Sequence, residues 1–523
     1  MTKRILLLLL ICISATIATI GQTTFLDPTF ADAGVARTDF NEQDDYGDVV
    51  TILPDQRILV VGYGENNGTI DFMVVRYTSD GSLDASFGDG GRVYIDFEGQ
   101  DDYAGMTQLY DDGKILIGGY ASNGEDFDFA LARLLPDGAL DASFSSDGKL
   151  SFPAGTNSDD YANALLVQPN GRILIAGQIR EENNNQDFCI MRFMDDGTKD
   201  LGFGAGGIRR LDLTFGDYPE GIALQPDGKI LHVGTTWYNE GGGFGDFTVL
   251  RYSSSGNLDT SFGDNGIVLV DYGEGLDFGT KVYSFGDKIL VSGTSSDGDT
   301  GYDFTLLQFN QSGILDSQFG EGGRFKVDFV SEDDRVSDVI QMPDGGYLLG
   351  GGVSYEPGVN DFAAAKCTAN GQLDTSFGVD GKILMDTQVN DVARSITLQE
   401  DGKIVQAGYT RADADADWDV LVMRYFGNAV TNTSNLVDDT DASIHLFPNP
   451  TSDMLYVELS APISANRVGE TTLLLMDEQG RLLQRHPIAT DRLSISTREL
   501  PAGVYTVVAK TEKGMVAKTF VKE

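Results

Sequence analysis

The chain repeats itself about every 58 residues. An Asp-Phe pair marks each unit, first at Asp71-Phe72 and then at intervals of 57, 59, 59, 57 and 58 residues, and a diverged Asp419-Val420 follows after another 58. A Leu-Asp pair such as Leu258-Asp259 repeats in step with it. Both patterns give seven units. Because a repeated unit buries its apolar face against its neighbours, the chain must form a ring or a stack of similar modules.

Four strand-like runs separated by turns make up each unit. In the third unit they lie at 160–167, 172–176, 187–193 and 207–211. Asp-Gly or Asn-Gly pairs join the first two runs and accept the positive φ angles of a tight hairpin turn. Glycine, at 64 of 523 residues, suits such a turn-rich chain. We therefore predict an all-β fold, with a seven-bladed β-propeller at residues 22–427. A parallel β-helix is the alternative, although its shorter coils need no hairpins.

The order of segments predicts how the ring closes. The chain opens with a fourth-strand segment at 26–40, and its last repeat stops after a third strand at Tyr425-Phe426. We expect the N-terminal strand to complete the last blade. The ring could then open only if the sheet of that blade came apart.

Three motifs of the repeat carry a family resemblance. They read Leu-Asp-x-Ser-Phe-Gly, Gln-Pro-Asp-Gly-Lys-Ile-Leu and Asp-Phe-x-Leu-x-Arg-Tyr, and the best copies lie at 224–231 and 246–262. Over residues 26–426 the chain resembles the bacterial delta-60 repeat. That resemblance implies a propeller of mostly unassigned function.

The chain changes character near its C-terminus. Residues 428–441 are rich in Asn, Thr and Asp and predict an exposed linker. Residues 442–523 alternate apolar and polar positions between Gly and Pro turns, which predicts a small immunoglobulin-like β-sandwich.

Several ordered motifs of this segment resemble the type A C-terminal sorting domain of the type IX secretion system of Bacteroidota. The resemblance implies recognition by the outer-membrane translocon and removal by a sortase-like protease. An ordinary immunoglobulin-like accessory module is the alternative. The residues that carry the motif are Pro448, Asn449, Pro450, Gly480, Pro501, Gly503 and Tyr505.

The N-terminus predicts a secreted protein. Lys3-Arg4, an apolar run to about Ile20 and the small residue Gly21 follow the order of a signal peptide, which we place at 1–21. No later stretch approaches the roughly 18 uninterrupted apolar residues of a membrane span. Export is therefore expected to yield a chain without a transmembrane segment. Cys189 and Cys367 fall at different positions of different repeats, so we expect free buried thiols.

The chain is strongly acidic, and the acidity belongs to the propeller. The formal net charge is −43, and residues 5–440 alone carry −44. Such a surface repels nucleic acid and anionic membranes and attracts cations or basic partners. We therefore expect no nucleic-acid partner.

Known catalytic motifs are missing from the sequence. It contains three histidines, of which only His232 lies in the propeller, at a position held by strand residues in other units. A packed strand residue is the expected role. Neither a Ser-His-Asp arrangement, a zinc site nor a phosphate-binding loop is supported.

An aspartate stands just before the first strand of every unit. Placed on innermost strands, these residues would form a carboxylate ring at the channel mouth, able to hold a cation or a basic side chain. Alternatively, each bonds a turn amide, which suits a position repeated in every blade. The seven residues are Asp45, Asp102, Asp160, Asp217, Asp277, Asp334 and Asp391.

The loops between second and third strands differ most among units, so ligand contacts are expected there. Their aromatic residues are candidates for stacking on a sugar or peptide, although a loop aromatic often folds back onto its own blade. These candidates are Trp237, Tyr238, Tyr355 and Trp418. The alternating acids Asp413, Asp415 and Asp417 could bind calcium as a cofactor; solvated acidity explains them as well.

The sequence thus predicts a secreted or surface-displayed propeller that acts as a binding protein or scaffold for an extracellular glycan or protein. The alternative is an extracellular glycoside hydrolase or lyase that uses carboxylates at the channel mouth. An enzyme needs an asymmetric pair of acids, whereas the repeat supplies similar acids to every blade. A binding role is therefore favoured.

Overall fold

The computed structural model describes most of the propeller and part of the C-terminal segment. The predicted signal peptide and the linker at 428–441 lie outside the described residues. The described residues contain strands and turns but no helix; none of them forms a helix long and apolar enough to cross a membrane. The described ranges are 25–40, 42–181, 185–214, 216–237, 245–272, 275–296, 301–329, 333–356, 359–385, 389–413, 416–427, 444–447, 451–459, 472–477, 482–487, 492–498, 500–501, 503–511 and 514–522.

Each of the first six blades is an antiparallel sheet whose four strands follow chain order from the centre outward. The first three blades are β2 (Asp45–Ile52), β3 (Ile58–Asn66), β4 (Thr69–Tyr77) and β5 (Arg92–Ile95); β6 (Asp102–Leu109), β7 (Ile115–Ser122), β8 (Phe127–Leu134) and β9 (Lys149–Phe152); and β10 (Asp159–Val167), β11 (Ile173–Arg180), β12 (Gln186–Phe193) and β13 (Ile208–Leu211). The next three are β14 (Gly216–Leu224), β15 (Ile230–Trp237), β16 (Gly245–Tyr252) and β17 (Ile267–Val270); β18 (Asp277–Phe285), β19 (Lys288–Ser296), β20 (Tyr302–Phe309) and β21 (Arg324–Val327); and β22 (Asp334–Gln341), β23 (Tyr347–Glu356), β24 (Val359–Cys367) and β25 (Lys382–Met385).

The seventh blade joins the two ends of the propeller. Its inner strands are β26 (Asn390–Leu398), β27 (Ile404–Arg411) and β28 (Asp419–Tyr425), and its outer strand is the N-terminal β1 (Val35–Thr38). β1 pairs antiparallel with β28, with Val35 opposite Met423. The ring is therefore closed by backbone hydrogen bonds within one sheet.

Neighbouring blades pack face to face through apolar side chains. The cluster between the first two blades combines Val61 and Phe72 of one with Ile117 and Ala130 of the next, all fully buried. The Phe of each Ser-Phe-Gly motif, such as Phe87, is also fully buried. Burying such a side chain contributes about 1.5–3 kcal/mol, so the stability of the ring lies chiefly between blades.

A repeated ion pair explains why the Leu-Asp and Arg-Tyr motifs recur together. Arg76 on the third strand donates from Nε to Asp84 Oδ2 at 2.8 Å, and its Nη1 donates to the carbonyl of Pro136 in the next blade at 2.5 Å. The pair thus fastens a blade both to its own linker and to its neighbour. The corresponding pairs are Arg133–Asp141, Arg192–Asp200, Arg251–Asp259, Lys366–Asp374 and Arg424–Asp27. The fifth blade has Gln308 in place of the basic residue.

A β-bulge in every first strand dictates a glycine in the second. At Gly62 an added Cβ would lie 1.8 Å from the carbonyl oxygen of Tyr46, which no side chain can accommodate. The bulge brings that carbonyl close to the neighbouring strand. The equivalent glycines are Gly119, Gly177, Gly234, Gly293, Gly351 and Gly408, with clearances of 1.8–2.1 Å.

The C-terminal segment is a two-sheet β-sandwich. One sheet has the order β29-β30-β33, the other β32-β31-β34-β35. Leu455, Leu475, Ile495 and Val507 from both sheets form its buried core. The strands are β29 (Ile444–Phe447), β30 (Met454–Leu459), β31 (Thr472–Asp477), β32 (Leu482–Pro487), β33 (Arg492–Ser496), β34 (Gly503–Thr511) and β35 (Gly514–Lys522).

Candidate functional site

The first strands of the seven blades surround the central channel. They contact one another from blade to blade, as β14 contacts β18 and β2 contacts β26. The residue in each bulge changes type from blade to blade. The bulge residues are Asp48, Gly105, Asn163, Glu220, Thr280, Ser337 and Arg394. The channel is therefore asymmetric, although its scaffold is repeated.

Two blades meet in the channel through a charged pair. Arg394 of the seventh blade donates from Nε to Asp48 Oδ1 of the first at 2.6 Å. The Asp48 carboxylate raises the pKa of Arg394. Since half of the Arg394 side chain stays exposed, this pair is a polar feature of the channel as well as a link between blades.

Glu220 is a second asymmetric acid in the channel. Its side chain is exposed to solvent within the channel. Desolvation by the surrounding blades raises the pKa of its carboxyl, and Lys281 and Arg394 oppose that rise. Arg394 belongs to a blade three places away, so the two residues interact across the channel.

Aromatic side chains line the mouth where the first strands begin. The long arc runs through blades seven, one, two and three, with successive ring centroids 4.7–5.2 Å apart. All its rings are partly exposed. Its members in order are Trp418, Tyr409, Tyr46, Tyr63, Tyr103, Tyr120 and Tyr161. Phe127 packs edge-on against Tyr120 at 5.5 Å.

A short arc continues this lining in blades four and five. Its centroid spacings are 5.7–6.0 Å. The members of the short arc are Tyr218, Trp237, Phe278 and Tyr302.

Arginines stand at both ends of the long arc and at one end of the short arc. On the long arc, the guanidinium of Arg411 lies 4.3 Å from the ring centroid of Trp418. At the other end of that arc, the guanidinium of Arg180 lies 5.3 Å from the ring centroid of Tyr161. On the short arc, the guanidinium of Arg335 lies 4.7 Å from the ring centroid of Tyr302. Arg180 and Arg335 also pair with Asp159 and Asp333. The mouth therefore presents ring faces and guanidinium groups, two of which are paired with carboxylates.

The seven repeated aspartates are fully buried rather than open to the channel. Asp45 Oδ2 accepts from the Phe40 amide at 2.7 Å, and Asp217 Oδ2 from the Leu213 amide at 2.8 Å. Comparable backbone bonds reach Asp102, Asp160, Asp277 and Asp334. These are the contacts expected of an aspartate that bonds a turn amide. Burial raises the pKa of both Asp45 and Asp217 to about 7.

Two of the four predicted loop aromatics, Trp237 and Trp418, belong to the arcs. Tyr238 lies outside the described residues, and Tyr355 is in β23 with its side chain undescribed. The tyrosines of the long arc were not among the sequence candidates. Tyr46, Tyr103 and Tyr161 belong to the Asp-Asp-Tyr motif, whose Tyr follows the buried Asp and therefore points to the other face of the strand. The remaining tyrosines follow the glycine of a second strand, as in Gly62-Tyr63.

The predicted calcium residues Asp413 and Asp417 are exposed, and Asp415 lies outside the described part of the chain. Among the described residues, no group of three metal-ligating side chains includes them. His232 is fully buried between Phe188 and Tyr252, and burial lowers its pKa to about 3. It is a neutral core residue. Cys189 and Cys367 are buried free thiols.

Part of the sorting motif falls within the described sandwich. Tyr505 packs on Phe520 at 5.5 Å and its hydroxyl donates to the Pro501 carbonyl at 2.7 Å, while Gly503 begins β34. The Pro448-Asn449-Pro450 segment and Gly480 lie outside the described residues. These contacts tie Tyr505 to Pro501 and to the last strand.

The fold and its channel define a seven-bladed β-propeller with an aromatic mouth, joined in the chain to a β-sandwich. Six stretches of the propeller match the family model described as "Domain of unknown function (DUF5122) beta-propeller", at 53–87, 111–144, 168–203, 225–262, 287–319 and 343–377. The seventh unit is split between the two ends of the propeller. Residues 445–523 match "Secretion system C-terminal sorting domain". That tail directs type IX export, to the cell surface or the medium.

The chain has distant matches among solved structures. Plexin A of Drosophila in complex with Semaphorin 1b is 10% identical; the match covers 76% of this chain and 88% of the matched chain, with a TM-score of 0.38. Sqt1 from Chaetomium thermophilum is 12% identical; the match covers 81% of this chain and 96% of the Sqt1 chain, with a TM-score of 0.39. A polysaccharide lyase, PL25 ulvan lyase, is 11% identical; the match covers 65% of this chain and 81% of the lyase chain, with a TM-score of 0.37. No curated protein sequence matches the chain.

Proposed function

We propose that this exported propeller binds an extracellular glycan chain across its channel mouth. The observation that carries the proposal is the pair of aromatic arcs, because partly exposed rings in series offer stacking faces to successive sugar units. The first and second strands hold most of these rings on rigid β-structure, which limits the entropy lost on binding.

The arginines at the ends of the arcs favour an acidic glycan over a neutral one. Arg411 forms no ion pair with a described residue and lies beside Trp418. A guanidinium group binds a carboxylate or sulfate through paired hydrogen bonds. Elsewhere the acidic propeller repels polyanions, so binding would be confined to the mouth.

Affinity electrophoresis and calorimetry on the full chain, with neutral and uronate-containing polysaccharides, test the proposal. We expect Tyr103→Ala and Tyr218→Ala each to weaken binding about tenfold, since stacked aromatic contacts contribute about 0.5–1.5 kcal/mol beyond their buried area. Tyr456→Ala is the control, because that tyrosine is 48% exposed but lies in the sandwich. Unchanged binding by both mouth variants, or no polysaccharide bound at all, would refute the proposal.

A second candidate is hydrolysis or lysis of the same glycan, favoured by the asymmetric acid Glu220. A raised carboxyl pKa suits a general acid. Asp48, the other acidic residue in a bulge, already accepts a hydrogen bond from Arg394. If the chain is an enzyme, incubation with a bound polysaccharide releases reducing or unsaturated ends and Glu220→Gln stops that release. If it only binds, no new chain ends form.

Export supplies the setting for either activity. The sorting tail would be recognised by the outer-membrane translocon and removed by a sortase-like protease, leaving the propeller at the surface or in the medium. A reporter fused to residues 428–523 is expected to reach the surface of a type IX-competent bacterium. Its retention in the periplasm would contradict this route.

A further inference from the structure

Four junctions between neighbouring blades each bring three aspartates together. The first comes from the third strand of a blade, the second follows its fourth strand, and the third begins the first strand of the next blade. At each junction one carboxylate oxygen from each residue lies within 4.8 Å of the other two. The four groups are Asp71, Asp96 and Asp102; Asp187, Asp212 and Asp217; Asp246, Asp271 and Asp277; and Asp303, Asp328 and Asp334.

Two of these groups receive a basic side chain from the protein. Arg210 donates to Asp187, and Lys326 Nζ lies 2.5 Å from Asp303 Oδ2. Both basic residues occupy the same register position on the fourth strand. At these junctions the protein itself offsets part of the negative charge.

The junction between blades one and two lacks that compensation. Its fourth strand has Tyr94 at the equivalent position, and the hydroxyl donates instead to Asp45 at 3.1 Å. Lys149 lies near this junction, but its Nζ donates to the backbone carbonyl of Asp96 at 2.6 Å. Within the described structure no ion pair reaches the carboxylates of Asp71, Asp96 or Asp102.

One carboxylate oxygen at this junction is buried without a partner. Asp102 is fully buried, and its Oδ2 accepts from the Phe97 amide at 2.8 Å. Oδ1 has no hydrogen-bond partner among the described residues. Leaving such an oxygen unsatisfied destabilises the folded state. Burial, with Asp71 and Asp96 adding to it, raises the pKa of the Asp102 carboxyl to about 7. A bound cation would satisfy this oxygen and offset all three charges.

We propose that Asp71, Asp96 and Asp102 bind a calcium ion between the first two blades. An all-oxygen, anionic set suits a hard cation rather than zinc, which prefers nitrogen and sulfur. Calcium binds oxygens at 2.3–2.6 Å and tolerates irregular geometry, so oxygens up to about 4.8 Å apart can share one ion. Magnesium requires about 2.0–2.1 Å and near-ideal octahedral geometry. Asp96 is exposed, which gives the ion access from solvent.

The second blade junction provides a matched control. There Pro153 follows the fourth strand in place of the second acid, so Asp128 and Asp160 form a pair rather than a triad. Asp128→Asn removes a carboxylate at the same register position as Asp71. It should leave calcium binding unchanged.

Equilibrium dialysis of the full chain against calcium chloride tests the site. We expect Asp96→Asn to bind one ion fewer per chain than the wild type, and Asp128→Asn to bind the same number. Wild-type protein that binds no calcium, or Asp96→Asn protein that binds as much as the wild type, would overturn the proposal.

A second measurement covers the case in which Asp96→Asn fails to fold. Crystals of the wild-type chain soaked in terbium chloride should show an anomalous peak within about 2.6 Å of carboxylate oxygens of all three aspartates. Peaks elsewhere but none at this junction would contradict the assignment.

Discussion

Arg424 and Asp27 close the propeller with a buried ion pair. Arg424 Nε donates to Asp27 Oδ2 at 2.9 Å, and Nη2 lies 2.8 Å from the same oxygen. Both residues are at most 5% exposed. In other blades the same pair joins a third strand to the linker that follows it. Here it joins the end of the ring to its beginning, 397 residues apart.

Loss of this pair should destabilise the whole ring. Asp27→Asn leaves the Arg424 guanidinium buried without its counter-charge, at a cost of about 3 kcal/mol or more. We expect a lower midpoint of thermal unfolding. Asp316→Asn is the control, since the fifth blade has Gln308 instead of an arginine and Asp316 meets the 41%-exposed Lys288 at 3.6 Å, so no buried charge loses its partner. Equal losses from both variants would show that the buried charge pair is not the cause.

A glycine opposite a bulge should be irreplaceable. Gly177→Ala would place its Cβ 2.0 Å from the Tyr161 carbonyl oxygen. Relieving that clash requires the two inner strands to part, so we expect a loss of about 3 kcal/mol or more in denaturant unfolding. At Gly105, within the bulge itself, an added Cβ meets only Asp48 Oδ2, at 3.8 Å, and Gly105→Ala should be tolerated.

The propeller should be more stable at pH 5 than at pH 8 in the presence of a chelator. Burial raises the pKa of Asp45 to about 7, above the ordinary 3.8. Between these values the folded state binds a proton that the unfolded state lacks, so stability falls as the pH rises through this window. Thermal unfolding at both pH values measures the difference.

Asp45→Asn should reduce that difference, because the amide keeps an acceptor for the Phe40 N–H without a titrating charge. Asp89→Asn, at an exposed turn, should leave it unchanged. An identical pH dependence in the wild type and Asp45→Asn would rule out this carboxyl as a contributor.

Both thiols should be inert in the folded protein. Cys189 and Cys367 are fully buried, and burial raises the pKa of Cys367 to about 12. The thiolate that reacts with disulfide reagents is therefore scarce and inaccessible. We expect no reaction with a thiol reagent until denaturant is added, when both react together with unfolding. Rapid labelling of the native chain would contradict the described packing.

Tryptophan fluorescence should report ligand binding directly. The chain has two tryptophans, Trp237 and Trp418, one in each arc. A glycan stacked across the mouth would exclude water from both rings and shift their emission. Trp237→Phe should leave the Trp418 signal and so locate the ligand on the long arc. A ligand that binds with no change in emission would lie away from the mouth.

Most of the architecture follows from the sequence because it is encoded locally and repeated seven times. Period-two apolar runs and Asp-Gly turns define strands and hairpins, and the Asp-Phe spacing counts the blades. The Leu-Asp and Arg-Tyr motifs mark the ion pair between them. The sorting tail is likewise a set of short ordered motifs.

The site depends on contacts that only ring closure creates. Asp48 and Arg394 are 346 residues apart and meet because the first blade lies beside the seventh. A bulge shifts the strand register by one residue, so hydrophobic periodicity does not show which side chain enters the channel. Burial also separates the repeated aspartates from the channel. The sequence by itself determined the blades, their number and the export tail, whereas the tertiary structure decided which side chains share the mouth and which carboxylates share a junction.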